Sequence, residues 1–262
     1  HYPITYLGTL WRQPPFPWGF AYGMTLFTVP LPVLGLAVTG LALAVRDGFF
    51  TRAEPGSAEA HRRSAAWILG LFTLFPMTVI SLPSTPIFGG TKHWMPATPF
   101  LCLLAGTGLV FLLDHARVLL PAVRRPERVA FPAMLLTCVM GIARSAPHGQ
   151  GYYNELAGGA RGAAHRFQRH YWGEGTRPLL PLLNGMAPAG ARVFFNRTNY
   201  DSWRMYQRDG FLRRDISYAR GVDESSASFP FHQWEHEHEL YNTWNTYPSR
   251  KPVGGVYLEG GV

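Results

Sequence analysis

Charged residues are absent from long stretches in the first half of this chain, whereas the second half alternates short apolar runs with charged and turn-forming residues. Four stretches contain no charged side chain at all, namely residues 13–45, 64–91, 94–113 and 129–143. A helix needs roughly 17–25 mostly apolar residues to cross the hydrocarbon layer of a membrane. The first half of the chain therefore predicts a polytopic α-helical membrane region with about four transmembrane helices.

The composition of these stretches favours membrane helices over the buried helices of a soluble protein. A soluble helix of this length would show polar residues every three to four positions, whereas residues 31–45 carry Thr39 as their only polar side chain. Prolines in the first and second stretches predict kinked helices, which membranes tolerate. The fourth stretch is short, and we expect it to cross with Arg128 and Arg144 reaching toward the two surfaces. We predict transmembrane spans at about residues 19–45, 64–84, 94–114 and 128–144.

The placement of arginines predicts which connections face the cytoplasm. Two connections are rich in arginine, with Arg46, Arg52, Arg62 and Arg63 in the first and Arg117, Arg124, Arg125 and Arg128 in the second. The connection around residues 83–93 has Lys92 as its only formal charge, so we expect it on the outer face. Residues 1–18 then form an outer loop, residues 19–144 the membrane region, and residues 145–262 a domain on the outer side.

Beyond residue 144 the apolar runs shorten to strand length, and turn signals separate them. This pattern predicts a small α/β extracytoplasmic domain. Leucines 179, 180, 182 and 183 mark the apolar side of one predicted amphipathic helix. Further helices are predicted at residues 200–209 and 240–244, and strands at 191–195, 216–218, 229–235 and 253–258.

The overall composition is consistent with this division and limits the chemistry. The chain has a formal net charge of +8 and is only 15% charged, against about 25% in an average soluble domain. This shortage of charge excludes disorder as the main state. Cys102 and Cys138 lie in apolar runs, so neither a disulfide framework nor a cysteine-based zinc site is expected. The sequence starts at His1 without the pattern of a signal peptide, and we expect an upstream part of the protein to precede it.

Lys92 and His93 stand just before the third predicted span, at the depth of the lipid headgroups. A lipid phosphate would suit both, because lysine offers an ammonium group and histidine a hydrogen-bond donor that an anion favours. The alternative is a lysine that simply extends from the end of a membrane helix to the surface. Residues 89–92 do not form a Walker phosphate loop, which needs glycine directly before the lysine and serine or threonine after it.

A later segment is dense in side chains that suit sugars and lipid headgroups. Its candidate contact residues are Tyr152, Tyr153, Asn154, Glu155, Tyr171 and Trp172. Aromatic rings can stack on the apolar faces of sugar rings, while asparagine and glutamate can hydrogen-bond to hydroxyl groups. The alternative is an aromatic belt that anchors the domain at the membrane surface.

Two weaker sequence signals concern metal binding and N-glycosylation. His236 and His238 would share one face of a strand, but no HExxH motif is present and no third ligand is fixed by spacing, so we predict no metal site and favour an exposed edge strand. The triplet Asn196-Arg197-Thr198 fits the N-glycosylation pattern, which matters only for a eukaryotic protein with this site outside.

Several stretches together resemble one family of membrane enzymes. The segments that carry the resemblance are His1-Tyr2-Pro3, Tyr6-Leu7-Gly8, Pro17-Trp18, Pro30-Leu31-Pro32, Lys92-His93-Trp94, Tyr152-Tyr153-Asn154-Glu155-Leu156-Ala157-Gly158-Gly159 and Tyr171-Trp172-Gly173. The last two resemble the YxNELxGG…DYWG signature of bacterial members. The order of these parts is similar to that of the C-terminal portion of polytopic GT-C glycosyltransferases, which include protein O-mannosyltransferases and lipid A aminoarabinose transferases. His170 stands where many of these proteins have an aspartate, so that carboxylate's role is not carried over.

The resemblance implies a glycosyltransferase in a bacterial inner membrane that moves a sugar from a polyprenyl-phosphate donor to an acceptor on the outer face. It implies that an acidic residue upstream of this sequence is the base and that Lys92 and His93 stabilise the departing lipid phosphate. Membrane lipid is an expected partner and nucleic acid is not. No cofactor is assigned, and the use of a divalent cation stays open. The alternative hypothesis is a non-catalytic membrane-anchored module that binds envelope glycans or a partner protein.

Overall fold

The computed structural model describes residues 3–50, 52–119, 123, 125–146, 149–169, 173–196, 198–229, 237–247, 249 and 251–255. The chain forms two compact units. The helical unit contains residues 13–146 and 152–159, and the α/β unit contains residues 3–12 and 147–151 together with the chain from residue 160 onward. The N-terminal hairpin thus belongs to the α/β unit, and the segment 152–159 belongs to the helical unit.

Long helices make up most of the helical unit. They are α1 (Phe20–Thr28), α2 (Leu31–Phe50), α3 (Ala58–Ile80), α4 (Thr98–Leu119) and α5 (Glu127–Ser145), and the 3₁₀ segment Gly90–Ala97 leads directly into α4. Four helical stretches are long and apolar enough to cross a membrane: α2, α3, Gly90–Leu119 and α5. This confirms the expected number of spanning-length helices in the described part of the chain.

The first predicted span is wrong in its extent, because residues 19–45 do not form one helix. Helix α1 ends at Thr28, and Val29 takes an extended conformation with φ −90° and ψ 135°. A residue that precedes proline is disfavoured in the helical region by contact with the proline ring, and Pro30 follows Val29. The spanning-length helix is therefore α2, which continues through Arg46 to Phe50.

Helices α2 and α4 pack with their backbones in direct proximity. A methyl group added to Gly40 of α2 would overlap the carbonyl group of Leu104, and one added to Gly108 of α4 would overlap the carbonyl group of Leu36. Both glycines therefore allow an approach that a side chain would prevent. Helix α5 differs from the others, since none of its residues is buried.

The α/β unit contains a hairpin and a small parallel sheet. In the hairpin, β1 (Ile4–Tyr6) pairs with β2 (Thr9–Trp11) in antiparallel register, with Ile4 opposite Trp11. In the sheet, β3 (Arg192–Phe194) lies between β4 (Ser217–Ala219) and β5 (Ala227–Ser228), and both pairings are parallel. The short helices of this unit are α6 (Gly159–Ala163, which begins at the boundary with the helical unit), α7 (Leu180–Met186), α8 (Tyr200–Arg208) and α9 (Glu237–Thr246). Its 3₁₀ turns lie at Gly149–Gly151, Glu174–Leu179 and Val222–Glu224, and a further one at Glu155–Ala157 belongs to the helical unit.

The central strand and its crossover helix fit the sequence predictions. Strands β3 and β4 and helix α8 lie where residues 191–195, 216–218 and 200–209 predicted them. They build one apolar core, whose buried members are Leu180, Leu183, Ala191, Val193, Phe195, Tyr206, Leu212 and Ile216. The unit is therefore a β3–α8–β4 crossover extended by β5 on the other side of β3.

Other predictions for this unit need correction. Leu182 is exposed while Leu180 and Leu183 are buried, because positions three apart share a face of a helix and a neighbouring position does not. His238 lies in α9 and not in a strand. Strand β5 ends at Ser228 and Phe229 is not in a strand, while the rest of the predicted strand 229–235 lies outside the described residues. Residues 253–255 form no strand, and the rest of that predicted strand is also outside the described residues.

Candidate functional site

Lys92 and His93 meet the same aromatic ring just before α4. The Lys92 ammonium nitrogen lies 4.7 Å from the centre of the Phe88 ring. The ring centres of His93 and Phe88 are 4.6 Å apart, in an edge-to-face arrangement. Gly89 and Gly90 both have left-handed backbone angles, with φ 66° and 64°, and so turn the chain between Phe88 and the two basic residues. The structure therefore brings the two predicted phosphate-binding residues together.

The Nε2 atom of His93 is a buried polar atom without a partner. Among the described residues, no group forms a hydrogen bond with it. Leaving a buried polar atom unsatisfied costs about 1–3 kcal/mol. A buried ring nitrogen without a partner is a position where a bound ligand would supply the missing hydrogen bond.

The segment that carries these residues is fixed to α1 by Trp94. This tryptophan is 3% exposed, and its Nε1 donates a hydrogen bond of 2.9 Å to Oγ1 of Thr25. Oγ1 of Thr25 in turn donates to the Ala21 carbonyl oxygen at 2.8 Å. The Phe20 ring lies edge-on to Trp94, with the ring centres 5.9 Å apart. Trp94 thus ties the position of Lys92 and His93 to helix α1.

Asn154 holds the end of the same helix. Its side-chain Nδ2 donates to the carbonyl oxygens of Leu26 and Val29, both at 2.7 Å, and its backbone N–H donates to that of Phe27 at 2.8 Å. Its Oδ1 accepts from the Leu156 N–H at 3.1 Å. The last carbonyl groups of a helix have no partner within it, so Asn154 supplies the missing donors. Asn154 is 1% exposed and its amide group is fully engaged, which gives it a structural role, while its contact with a sugar or headgroup stays a prediction.

The neighbours of Asn154 differ in their exposure. Tyr153 is buried, whereas Tyr152 keeps some exposed surface and Glu155 is exposed. The Tyr152 ring lies against α5, where a methyl group added to Gly141 would be 3.1 Å from it. The two other predicted contact residues, Tyr171 and Trp172, lie outside the described residues.

The two predicted motifs converge on adjacent residues of α1. Trp94 donates a hydrogen bond to Thr25, and Asn154 donates one to Leu26. Thr25 and Leu26 are consecutive residues, so their Cα atoms are about 3.8 Å apart. The sequence analysis did not predict this role of α1. It also did not predict that Phe88 contacts Lys92 and His93 or that Trp94 donates a hydrogen bond to Thr25. A threonine within an apolar helix was the one available signal, and its spacing alone does not identify a partner.

Neither a cluster of possible metal ligands in the described residues nor a match to a known protein adds to this site. Within the described residues, no group of three or more His, Cys, Asp or Glu side chains is arranged to hold a metal ion. No family model matches this chain, and no curated protein or solved structure matches it.

Proposed function

We propose that this chain is part of a membrane glycosyltransferase that moves a sugar from a polyprenyl-phosphate donor to an acceptor on the outer face of a bacterial inner membrane. The observation that carries the proposal is the convergence of Lys92 and His93 on Phe88 at the start of a spanning-length helix. A lipid-linked donor whose chain lies in the membrane would hold its phosphate near the end of a spanning helix, and this expectation supports the proposal. The sequence resemblance to GT-C glycosyltransferases supports the same reaction.

In this reaction the acceptor hydroxyl attacks the anomeric carbon of the donor sugar, and the bond from that carbon to the phosphate oxygen breaks. The phosphate leaves with the electron pair, and a base takes the hydroxyl proton. Lys92 and His93 would stabilise the negative charge that develops on the leaving phosphate. The resemblance to GT-C glycosyltransferases assigns the role of base to an acidic residue upstream of the matched segments.

The contact of Lys92 with Phe88 fits a binding residue that exchanges partners. A cation over an aromatic ring gains about 0.5–2 kcal/mol, whereas hydrogen bonds between charged groups contribute about 1.5–3 kcal/mol each. A hydrogen bond to a phosphate is therefore at least as strong as the contact with the Phe88 ring. The Phe88 ring keeps Lys92 oriented near the site before the donor binds.

The segment around Asn154 would contribute mainly through its exposed members. Tyr152 and Glu155 retain surface that a sugar or headgroup can reach, whereas Tyr153 and Asn154 are buried. We assign Asn154 the task of holding α1, and through α1 the Trp94 contact that positions Lys92 and His93. Tyr171 and Trp172 stay predicted contacts.

The direct test is transfer of labelled sugar by the complete protein in membranes at limiting donor concentration. Lys92→Met removes a charge-assisted hydrogen bond and should lower transfer about ten- to a hundredfold, whereas Lys92→Arg should lower it less. His93→Ala should have a smaller effect than Lys92→Met at neutral pH, because an imidazole is only partly charged there. Lys251→Met is the matched control, since Lys251 is exposed in the α/β unit.

Two results would contradict the proposal. Unchanged transfer by Lys92→Met, with normal expression, would leave Lys92 as an ordinary lysine at the end of a membrane helix. No transfer by the unaltered complete protein with any polyprenyl-phosphate sugar would favour the alternative, a non-catalytic module that binds envelope glycans or a partner protein.

A further inference from the structure

One face of helix α8 lines a groove in the α/β unit that the proposed transfer reaction does not use. Five residues of α8 occur at positions i, i+3, i+4, i+7 and i+8 and therefore lie along one side of the helix. They are Tyr200, Trp203, Arg204, Gln207 and Arg208. Together with Arg214 they line a shallow groove of about 410 Å³. Sites for small ligands commonly have volumes of about 300–1,000 Å³.

Arg214 is fixed beside α8 by Gln207. The side-chain Nε2 of Gln207 lies within hydrogen-bond distance of three carbonyl oxygens, 2.9 Å from that of Arg213, 3.2 Å from that of Arg214 and 2.8 Å from that of Ile216. These bonds hold the loop after α8 against the helix. The backbone of this loop is therefore held beside α8.

An aromatic surface forms the other end of the groove. The rings of Tyr200 and Trp203 are stacked, with their centres 5.2 Å apart and an angle of 27° between them. Trp203 also meets the Tyr218 ring of β4 edge-on, with the centres 5.9 Å apart. Tyr200 nevertheless remains 52% exposed. It therefore presents a supported aromatic ring to solvent, a surface on which the apolar face of a sugar ring can stack.

The three arginines of the groove are exposed and are only partly neutralised. Arg208 forms an ion pair with Asp209 at 2.8 Å. Arg204 and Arg214 are different, since within the described part of the chain their guanidinium groups form no hydrogen bond or ion pair. A guanidinium group has a planar set of donors that matches the oxygens of a phosphate. Two such groups that line one groove favour the binding of an anion there.

We propose that this groove binds a sugar phosphate, with Arg204 and Arg214 on the phosphate and Tyr200 stacked on the sugar ring. The inference goes beyond the proposed transfer reaction and does not depend on it, because it uses no residue of the Lys92 site. The phosphate can belong to a soluble sugar phosphate or to a lipid-linked one, and both present the same chemistry to the groove.

The test measures binding of glucose 1-phosphate to the complete protein in nanodiscs of zwitterionic lipid by isothermal titration calorimetry. All proteins carry Lys92→Met, so that the proposed donor site does not contribute. Arg204→Ala and Arg214→Ala should each weaken binding about tenfold. Arg220→Ala is the matched control and should leave binding unchanged, because Arg220 is exposed in the same unit but does not line the groove.

Two further ligands separate the parts of the proposal. Tyr200→Ala should weaken binding of glucose 1-phosphate but not of inorganic phosphate, which has no ring to stack. The second ligand is a short-chain prenyl-phosphate glucose. If it binds more tightly than glucose 1-phosphate and its binding depends on the same two arginines, the groove is a site for lipid-linked sugars. Weaker binding of that compound assigns the groove to soluble ones.

Three results would overturn the proposal. The first is glucose 1-phosphate binding that is absent or that does not change in the Arg204 and Arg214 variants. The second is inorganic phosphate binding as tightly as glucose 1-phosphate, which would show a plain anion site. The third is loss of glucose 1-phosphate binding when the nanodiscs contain phosphatidylglycerol, which would show that the arginines contact the membrane surface.

Discussion

Replacing Gly40 with alanine should separate α2 from α4, because the new methyl group has no room in the present packing. It would lie 2.6 Å from the carbonyl carbon of Leu104, whereas carbon atoms in contact are about 3.5–4.0 Å apart. The backbones would have to move apart by about 1 Å or more to relieve this overlap. Gly108→Ala should act in the same way from the other helix, where the methyl group would overlap the carbonyl oxygen of Leu36.

The expected size of the effect follows from two opposing contributions. Inserting a methyl group into a tightly packed interface usually costs about 1–3 kcal/mol. Alanine in place of glycine within a helix favours the helix by about 0.5–1 kcal/mol. Gly40→Ala should therefore lower the free energy of unfolding by up to about 2.5 kcal/mol, and by about 1 kcal/mol at the centre of these ranges. Gly35→Ala on α2 and Gly106→Ala on α4 are matched controls, because a methyl group at either position meets nothing within 4 Å.

The assay is unfolding of the complete protein in detergent micelles by increasing amounts of sodium dodecyl sulfate, followed by circular dichroism. Gly40→Ala and Gly108→Ala should each shift the unfolding midpoint to a lower fraction of dodecyl sulfate. The shift of the double variant should be smaller than the sum of the two single shifts. Once the helices have separated for one methyl group, the second needs less movement. Equal midpoints for Gly40→Ala and Gly35→Ala would refute the close packing of α2 and α4.

Two further substitutions test features outside this interface. Asn154→Ala leaves the carbonyl groups of Leu26 and Val29, at the end of α1, without their side-chain donor. It should lower the free energy of unfolding by about 1–3 kcal/mol for each carbonyl group left without a partner. Asn245→Ala, at an exposed position of α9, should leave it unchanged in the same titration, and equal effects of the two would contradict the role given to Asn154. In the α/β unit, hydrogen bonds from Arg213 and from the Gly190 N–H hold the pKa of Asp215 below its usual value. Asp215 therefore stabilises the folded state above about pH 4 and loses this contribution as the pH falls further, so the stability difference between the protein and its Asp215→Asn variant should shrink toward pH 3. A difference that grows on acidification would contradict this assignment.

Sequence patterns were informative where the structure depends on local properties of the chain. The four spanning-length helices follow from stretches without charge, which need no knowledge of their neighbours. The crossover from β3 through α8 to β4 follows from the change between strand and helix spacing, with turn signals between the elements. The position of Lys92 and His93 before an uncharged stretch is also visible in the sequence, and their binding of a phosphate stays a prediction.

Features that depend on pairing between distant residues were not predictable from these patterns. Asn154 binds Leu26 across 128 positions of sequence, and Trp94 binds Thr25 across 69. Nothing in the local sequence selects these partners, since any buried amide or indole group requires some partner and many are compatible with its chemistry. The break before Pro30 adds to this difficulty, because it ends α1 at Thr28 and leaves carbonyl groups that need a donor from elsewhere. Asn154 meets that need, and the motif first interpreted as a sugar contact thereby supports the helix to which Trp94, and with it Lys92 and His93, is attached.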